Sequence, residues 1–218
     1  MIDQPERDEY FVRRLEDFGD VVIGFSLALL ALSLAVPNHA AMLLQNVEWL
    51  VAYVWTFSIV CAMWGAHYWT FRHVFVPTRL SVVLNYAKLG LIVLLIYTLQ
   101  VLLRAFDLGN ARDIIVANQL YWVCLSLYMA TTAMLLAIGL RVRHASLTPT
   151  ITRNCISRIW RAGISAPLIL VGIFVTAKGP AQAMATNMAL VVVAGSLVGR
   201  WIGRRVTRAS ETPHQPAR

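Results

Sequence analysis

Lysine is almost missing from this chain. Only Lys88 and Lys178 occur, so a formal charge of +8 rests on arginine. Charge of either sign is scarce, at 14% of residues against 58% hydrophobic, and the mean hydropathy is +0.63. A chain this poor in charge does not read as an ordinary soluble domain; it reads as a polytopic membrane protein. Three cysteines make no disulfide framework, because Cys61 and Cys124 fall inside apolar spans and Cys155 in a basic loop, and all three read as reduced thiols. There is no nucleophile motif, no phosphate-binding glycine loop and no His/Cys cluster at ligand spacing, so an enzyme, a metal site and a bound cofactor are not expected. Nucleic acid is not expected as a partner either, since the arginines form no stripe with interleaved aromatics. The opening MIDQPERDEY is acidic and polar, and the first apolar stretch lacks a cleavage site followed by a soluble domain, so the first helix is expected to stay in the mature protein.

What is abundant is the apolar run. Six spans approach the ~20 residues that a helix needs to cross a hydrocarbon core. They cover residues 19–37, 47–70, 81–103, 114–140, 161–177 and 181–203. The expected fold is all-α: a six-helix membrane domain over 19–205, a cytoplasmic N-terminal segment over 1–18 and a disordered cytoplasmic tail over 206–218. Orientation follows from the loop cations. With these spans, fifteen arginines fall on the side of the N-terminus, and the other side receives only Arg104, Arg112 and Lys178. Both termini are therefore expected in the cytoplasm, in a multi-pass protein of a bacterial cytoplasmic membrane. Lys88, near the cytoplasmic start of the third span, can snorkel or pair.

The most informative stretch is RLEDFGD, from Arg14 to Asp20, which opens the first span. A charge at bilayer depth costs roughly 2.5 to 3.5 kcal/mol, so Asp20 needs an interface or a partner. On a helix Phe18 shares the face of Arg14, whereas Asp20 lies about 240° round at ~100° per residue, so its partner should come from another helix. The second span ends in WGAHYWTF, which puts Trp64, His67, Tyr68 and Phe71 on one face at the cytoplasmic end, and LNYAK brings Asn85 and Lys88 to similar depth. Candidate partners for Asp20 are therefore the Trp64 indole, a His67 ring nitrogen, the Asn85 amide and the Lys88 ammonium. The plain reading is a set of interfacial anchors that tie helix ends together. The sharper one is a proton relay through Asp20 and His67.

Arg14-x-x-x-Phe18-Gly19-Asp20 resembles the R-x-x-x-F-S-D signature of the transmembrane protein 175 family, the endolysosomal and prokaryotic potassium channels. Trp64-x-x-His67-Tyr68-x-x-Phe71 resembles that family's W-x-x-H-H-x-x-F pattern, and Asn85 sits where its third-helix asparagine is expected. Gly19 replaces the signature serine and Tyr68 the second histidine, which thins the network that the motif implies. The resemblance implies a homotetramer in the lipid bilayer, with the first helix of each subunit lining a central pore. Counted from Phe18, it places an apolar constriction at Phe25, Leu29 and Leu32. Hydroxyl residues expected beside that constriction are absent, since Gly24 and Ala28 stand there. Ser26 is the nearest hydroxyl: a modest helix rotation would bring it toward the lumen, and otherwise it bonds a backbone carbonyl or a neighbouring helix.

The function that the resemblance implies is a potassium-permeable cation channel. No TVGYG-type carbonyl filter and no arginine ladder occurs, so a leak-type conductance gated by dewetting is expected. Two other readings stay open. One is a proton-coupled transporter using Asp20 and His67, and the other a nonconducting membrane protein of the same fold.

Overall fold

The structure is a computed structural model of the 218-residue chain, and it describes residues 4–32, 47–108, 111–176, 193–195, 197–202 and 205. No strand occurs among the described residues. Helix α1 runs Gln4–Leu32, α2 Val47–His73, α3 Arg79–Leu108, α4 Ala111–Arg143 and α5 Pro149–Thr176, with a 3-10 turn at His144–Ser146 before α5. Residues 193–195 and 197–202 are also helical. The expected tail over 206–218, most of the first loop and the beginning of the sixth span lie outside the described residues.

Among the described residues, three stretches are each long and apolar enough to cross a membrane by length and composition: Arg79–Ala105, Ala111–Ser146 and Pro149–Ile173. Two helices begin earlier than the apolar runs suggest. α1 starts at Gln4 rather than near residue 19, because the polar segment holds good helix formers and its buried face already begins at Leu15. α5 starts at Pro149 and takes in most of what reads as a long basic loop. Thr148 caps it, its Oγ1 accepting from the Ile151 amide at 3.5 Å and its carbonyl from Thr152 at 3.0 Å, and Pro149 follows at the position where a missing N–H costs least.

The chain forms two compact units, Met1–Cys124 and Leu125–Arg218, with the boundary inside α4. In the first unit α1 packs against both α2 and α3. Its buried stripe is Leu15, Gly19, Ile23, Ser26 and Leu30, at steps of four, four, three and four. Buried in the same unit are Val60, Met63 and His67 from α2, with Asn85, Lys88, Ile92, Leu95 and Leu99 from α3. Lipid is as apolar as leucine, so in a bilayer these contacts gain from close packing and hydrogen bonding rather than from leaving water. The α2–α3 connection is rigidly built. Phe71 and Phe75 stack at 4.2 Å, and Thr78 caps α3 by accepting from the Ser81 amide at 3.1 Å.

In the second unit, Ser126 Oγ donates to the Ala166 carbonyl at 2.8 Å, next to Pro167, which lacks an N–H for the helix ladder. Cys155 Sγ contacts the Leu136 carbonyl at 3.7 Å. All three thiols are free.

Candidate pore helix and signature network

α1 has two faces with opposite fates. The stripe Leu15, Gly19, Ile23, Ser26 and Leu30 is buried, whereas Phe18, Val21, Phe25, Leu29 and Leu32 are exposed, Phe25 by 70% and Leu32 by 80%. These exposed positions recur at three- and four-residue steps and form one continuous apolar stripe. Gly24 and Ala28 lie along its edge and are exposed as well. Ser26 belongs to the other face: it is buried, and its hydroxyl donates to the Val22 carbonyl at 2.8 Å. Such a bond to the preceding turn is a common fate of serine in membrane helices.

Of the four candidate partners for Asp20, the indole of Trp64 is the one that reaches it, donating to Oδ1 at 2.9 Å from α2 to α1. Both residues are exposed, and Trp64 tilts against Tyr68 at 6.2 Å. Arg14 turns away toward solvent and lies over the Tyr10 ring at 5.6 Å. Phe18 meets Tyr86 edge to face at 6.1 Å, a partner on α3 beside Asn85 that the motif did not single out.

His67 makes a different connection. It is fully buried, and its Nδ1 lies 3.0 Å from Lys88 Nζ, itself only 1% exposed. An ammonium can only donate, so with Lys88 charged the imidazole presents Nδ1 as acceptor and carries its proton on Nε2. That Nε2 points to α1 at Gly19, where a Cβ would overlap it. Gly19 is thus the opening through which the ring reaches the backbone of α1. Asn85 is buried on α3 as well, and both atoms of its amide lack a hydrogen-bond partner among the described residues.

Of the seven residues that the sequence gathers at one depth, Arg14, Phe18, Asp20, Trp64, His67, Asn85 and Lys88, the structure pairs Asp20 with Trp64 at an exposed site and His67 with Lys88 at a buried one against Gly19, while Arg14, Phe18 and Asn85 join neither pair. Lys88 is the member whose weight sequence reasoning understated, because a lysine near a helix end ordinarily snorkels. Its one-turn offset from Asn85 was the available signal. On the aqueous side, burial raises the Glu16 carboxyl above its usual 4.5, reinforced by the charges of Asp20 and Asp17 and opposed by Arg72 and Arg13. No group of three or more His, Cys, Asp and Glu that could hold a metal occurs among the described residues.

Residues 14–95 match the model of the family described as endosomal/lysosomal potassium channel TMEM175. The fold is similar to that of a crystallised variant of the potassium channel MtTMEM175 in complex with a Nanobody-MBP fusion protein: TM-score 0.66, 15% identity, covering 89% of this chain and 93% of that one. It is also similar to a lysosomal potassium-selective channel TMEM175 homolog from Chamaesiphon Minutus, with TM-score 0.61, 18% identity and coverage of 87% and 98%. No curated protein matches by sequence. The family that the signature residues resemble is thus the one whose model matches residues 14–95, and the two solved structures with a similar fold are described as potassium channels.

Proposed function

We propose that this chain is a divergent TMEM175-type channel: a homotetramer in a bacterial cytoplasmic membrane that passes monovalent cations, potassium among them, through a pore lined by α1. The observation that carries the reading is the uncovered apolar stripe of α1. A helix whose opposite face is locked against α2 and α3 still presents Phe18, Val21, Phe25, Leu29 and Leu32 to its surroundings. In a bilayer lipid covers an apolar face as readily as protein does, so it is the register counted from Phe18 that assigns this stripe to a shared axis between copies of α1. The rings of Phe25, Leu29 and Leu32 would then narrow the lumen and gate it by dewetting. The spans lack regularly spaced arginines, so the conductance is of leak type, without an intrinsic voltage sensor.

Asp20 and Trp64 serve in this reading as a clasp between α1 and α2, and His67 with Lys88 as a buried anchor behind the pore helix. A transporter using Asp20 and His67 as one relay has less support, because each is engaged with a different partner. A nonconducting protein of the same fold draws its support from Gly24 and Ala28, where hydroxyls are expected.

The test is reconstitution in liposomes with imposed potassium or sodium gradients, with Phe25→Ala alongside. Potassium flux that rises in the variant is the expected result. An unchanged flux would refute the register, and no flux from either protein would refute conduction.

A further inference from the structure

We infer that the second unit holds the phosphate headgroup of an anionic phospholipid at the crossing of α5 with the helix of residues 197–202, on the guanidiniums of Arg161 and Arg200 with Arg158 beside them. The first ground is charge. From Leu125 onward the chain carries eleven of its nineteen lysines and arginines but only one of its eleven acids, Glu211. The sequence of this unit thus offers one carboxylate against eleven cations.

The second ground is geometry. Gly195 and Gly199 form a G-x-x-x-G face, the spacing that lets two membrane helices approach closely. A Cβ on Gly199 would lie 2.5 Å from the Arg161 Cα and 3.0 Å from the Trp160 carbonyl oxygen, and one on Gly195 would lie 2.9 Å from Ser165 Oγ. The two backbones therefore run in contact for a full turn. Arg200 follows Gly199 directly, and Arg158 precedes Arg161 by three residues on the same helix, so both charges fall close enough to repel that of Arg161. Within this group the Nε of Arg161 is buried and has no hydrogen-bond partner among the described residues. A guanidinium placed among like charges, with a donor left over, is matched by a phosphate, whose oxygens accept the planar fork in pairs.

The third ground selects a lipid over a free anion. Trp160 and Trp201 are exposed next to these arginines, and Arg205 lies over the Trp201 ring at 3.9 Å. Tryptophan collects at headgroup depth. Leu197 and Val198 on one helix, with Leu168 and Val171 on α5, expose the apolar surface that acyl chains would cover. A headgroup on the arginines thus has its tails on a surface made for them.

The full-length protein, purified in detergent, would be given phosphatidylglycerol or phosphatidylcholine and bound lipid counted by native mass spectrometry, with and without excess inorganic phosphate. The expected result is preferential retention of phosphatidylglycerol, weakened about tenfold for each guanidinium lost in Arg161→Gln and Arg200→Gln, which corresponds to ~1.4 kcal/mol. Arg161→Lys keeps the charge and the fold but loses the fork, and is expected to weaken retention several-fold. Arg141→Gln, an exposed arginine elsewhere in the unit, should leave it unchanged. Equal retention of the two lipids, wild-type retention in the glutamine variants, or an equal loss in Arg141→Gln would overturn the assignment. So would displacement of the lipid by inorganic phosphate, which would identify a site for a free anion. The readout is lipid retention, so conduction does not enter it.

Discussion

Replacing Gly19 by alanine sets two effects against each other. Alanine is better than glycine in a helix interior by about 1 kcal/mol. Against this stands the imidazole of His67, because a Cβ at Gly19 overlaps Nε2 and lies 2.7 Å from Cε1 and 3.3 Å from Cδ2. The ring is not the loose end of a flexible side chain. It is fully buried, bound through Nδ1 to Lys88 at 3.0 Å, and set against Phe71 at 4.6 Å between centroids. Overpacking of this kind costs ~1 to 3 kcal/mol, and weakening the bond to a buried ammonium adds ~1 to 3 more. The balance is a loss of roughly 3 kcal/mol, or about 6 to 12 °C in Tm for a chain of this size. Thermal unfolding in detergent, followed by tryptophan fluorescence, measures it. In a His67→Ala background the obstacle is gone, and the same substitution should raise Tm. A Tm that does not fall in the wild-type background, or an identical shift in both, would refute the contact. Gly19→Ser, the residue of the signature that this chain resembles, should be no better tolerated than alanine.

The buried pair should respond asymmetrically. His67→Leu strands the Lys88 ammonium in a dry site and should cost roughly 3 to 5 kcal/mol, whereas Lys88→Met removes the charge and leaves only a neutral imidazole acceptor unpaired, which should cost the smaller ~1 to 3 kcal/mol; equal losses of Tm in the two variants would show that the ammonium is not held there. Glu16 gives a pH signature. Because its folded-state pKa is raised from 4.5, the native protein holds this proton to higher pH than the unfolded chain, so stability is lost as pH rises through the raised value and regained as pH falls toward 4.5. Glu16→Gln should therefore raise Tm at neutral pH and leave it unchanged in acid below that window, and a gain of equal size at both would contradict the burial assigned to this carboxyl.

The helices were readable because apolar runs near membrane length leave few alternatives, and the joining of Asp20 to Trp64 was among the options that depth and helical phase left open. Choosing among the four partners was beyond the sequence, since the choice depends on a rotation of α2 by a fraction of a turn that no spacing fixes. Lys88 was found at the right depth, but its burial depends on what α1 does not carry. Gly19 has no side chain to fill the space that His67 takes, and with His67 pressed against α1 its Nδ1 is left to Lys88. The early starts of α1 and α5 were hidden by reading polarity as loop, although Thr148-Pro149 was a usable cap signal. The G-x-x-x-G of Gly195 and Gly199 was equally visible as a pattern. What the pattern lacked was the identity of its partner, the turn from Arg161 to Ser165.

The edge of the α1 stripe offers a way to separate assembly from conduction. Gly24 and Ala28 are four residues apart, a small-x-x-x-small pair of the kind that lets helices touch closely, and they flank Phe25 and Leu29 rather than replace them. Around a fourfold axis, one edge of each α1 would meet its neighbour while the large side chains turn to the lumen. A Cβ on Gly24 meets no atom within 4 Å in a single chain, so Gly24→Leu leaves the fold of one subunit undisturbed. Any effect of that variant must then arise between copies. Gly24→Leu should shift native mass from tetramer toward monomer while each subunit keeps its helical content, and Phe25→Ala should keep the tetramer while changing only flux. If Gly24→Leu assembled like the wild type, the small edge would face lipid or lumen, and the helices would have to meet through the phenylalanine stripe itself, which would close the pore assigned to it.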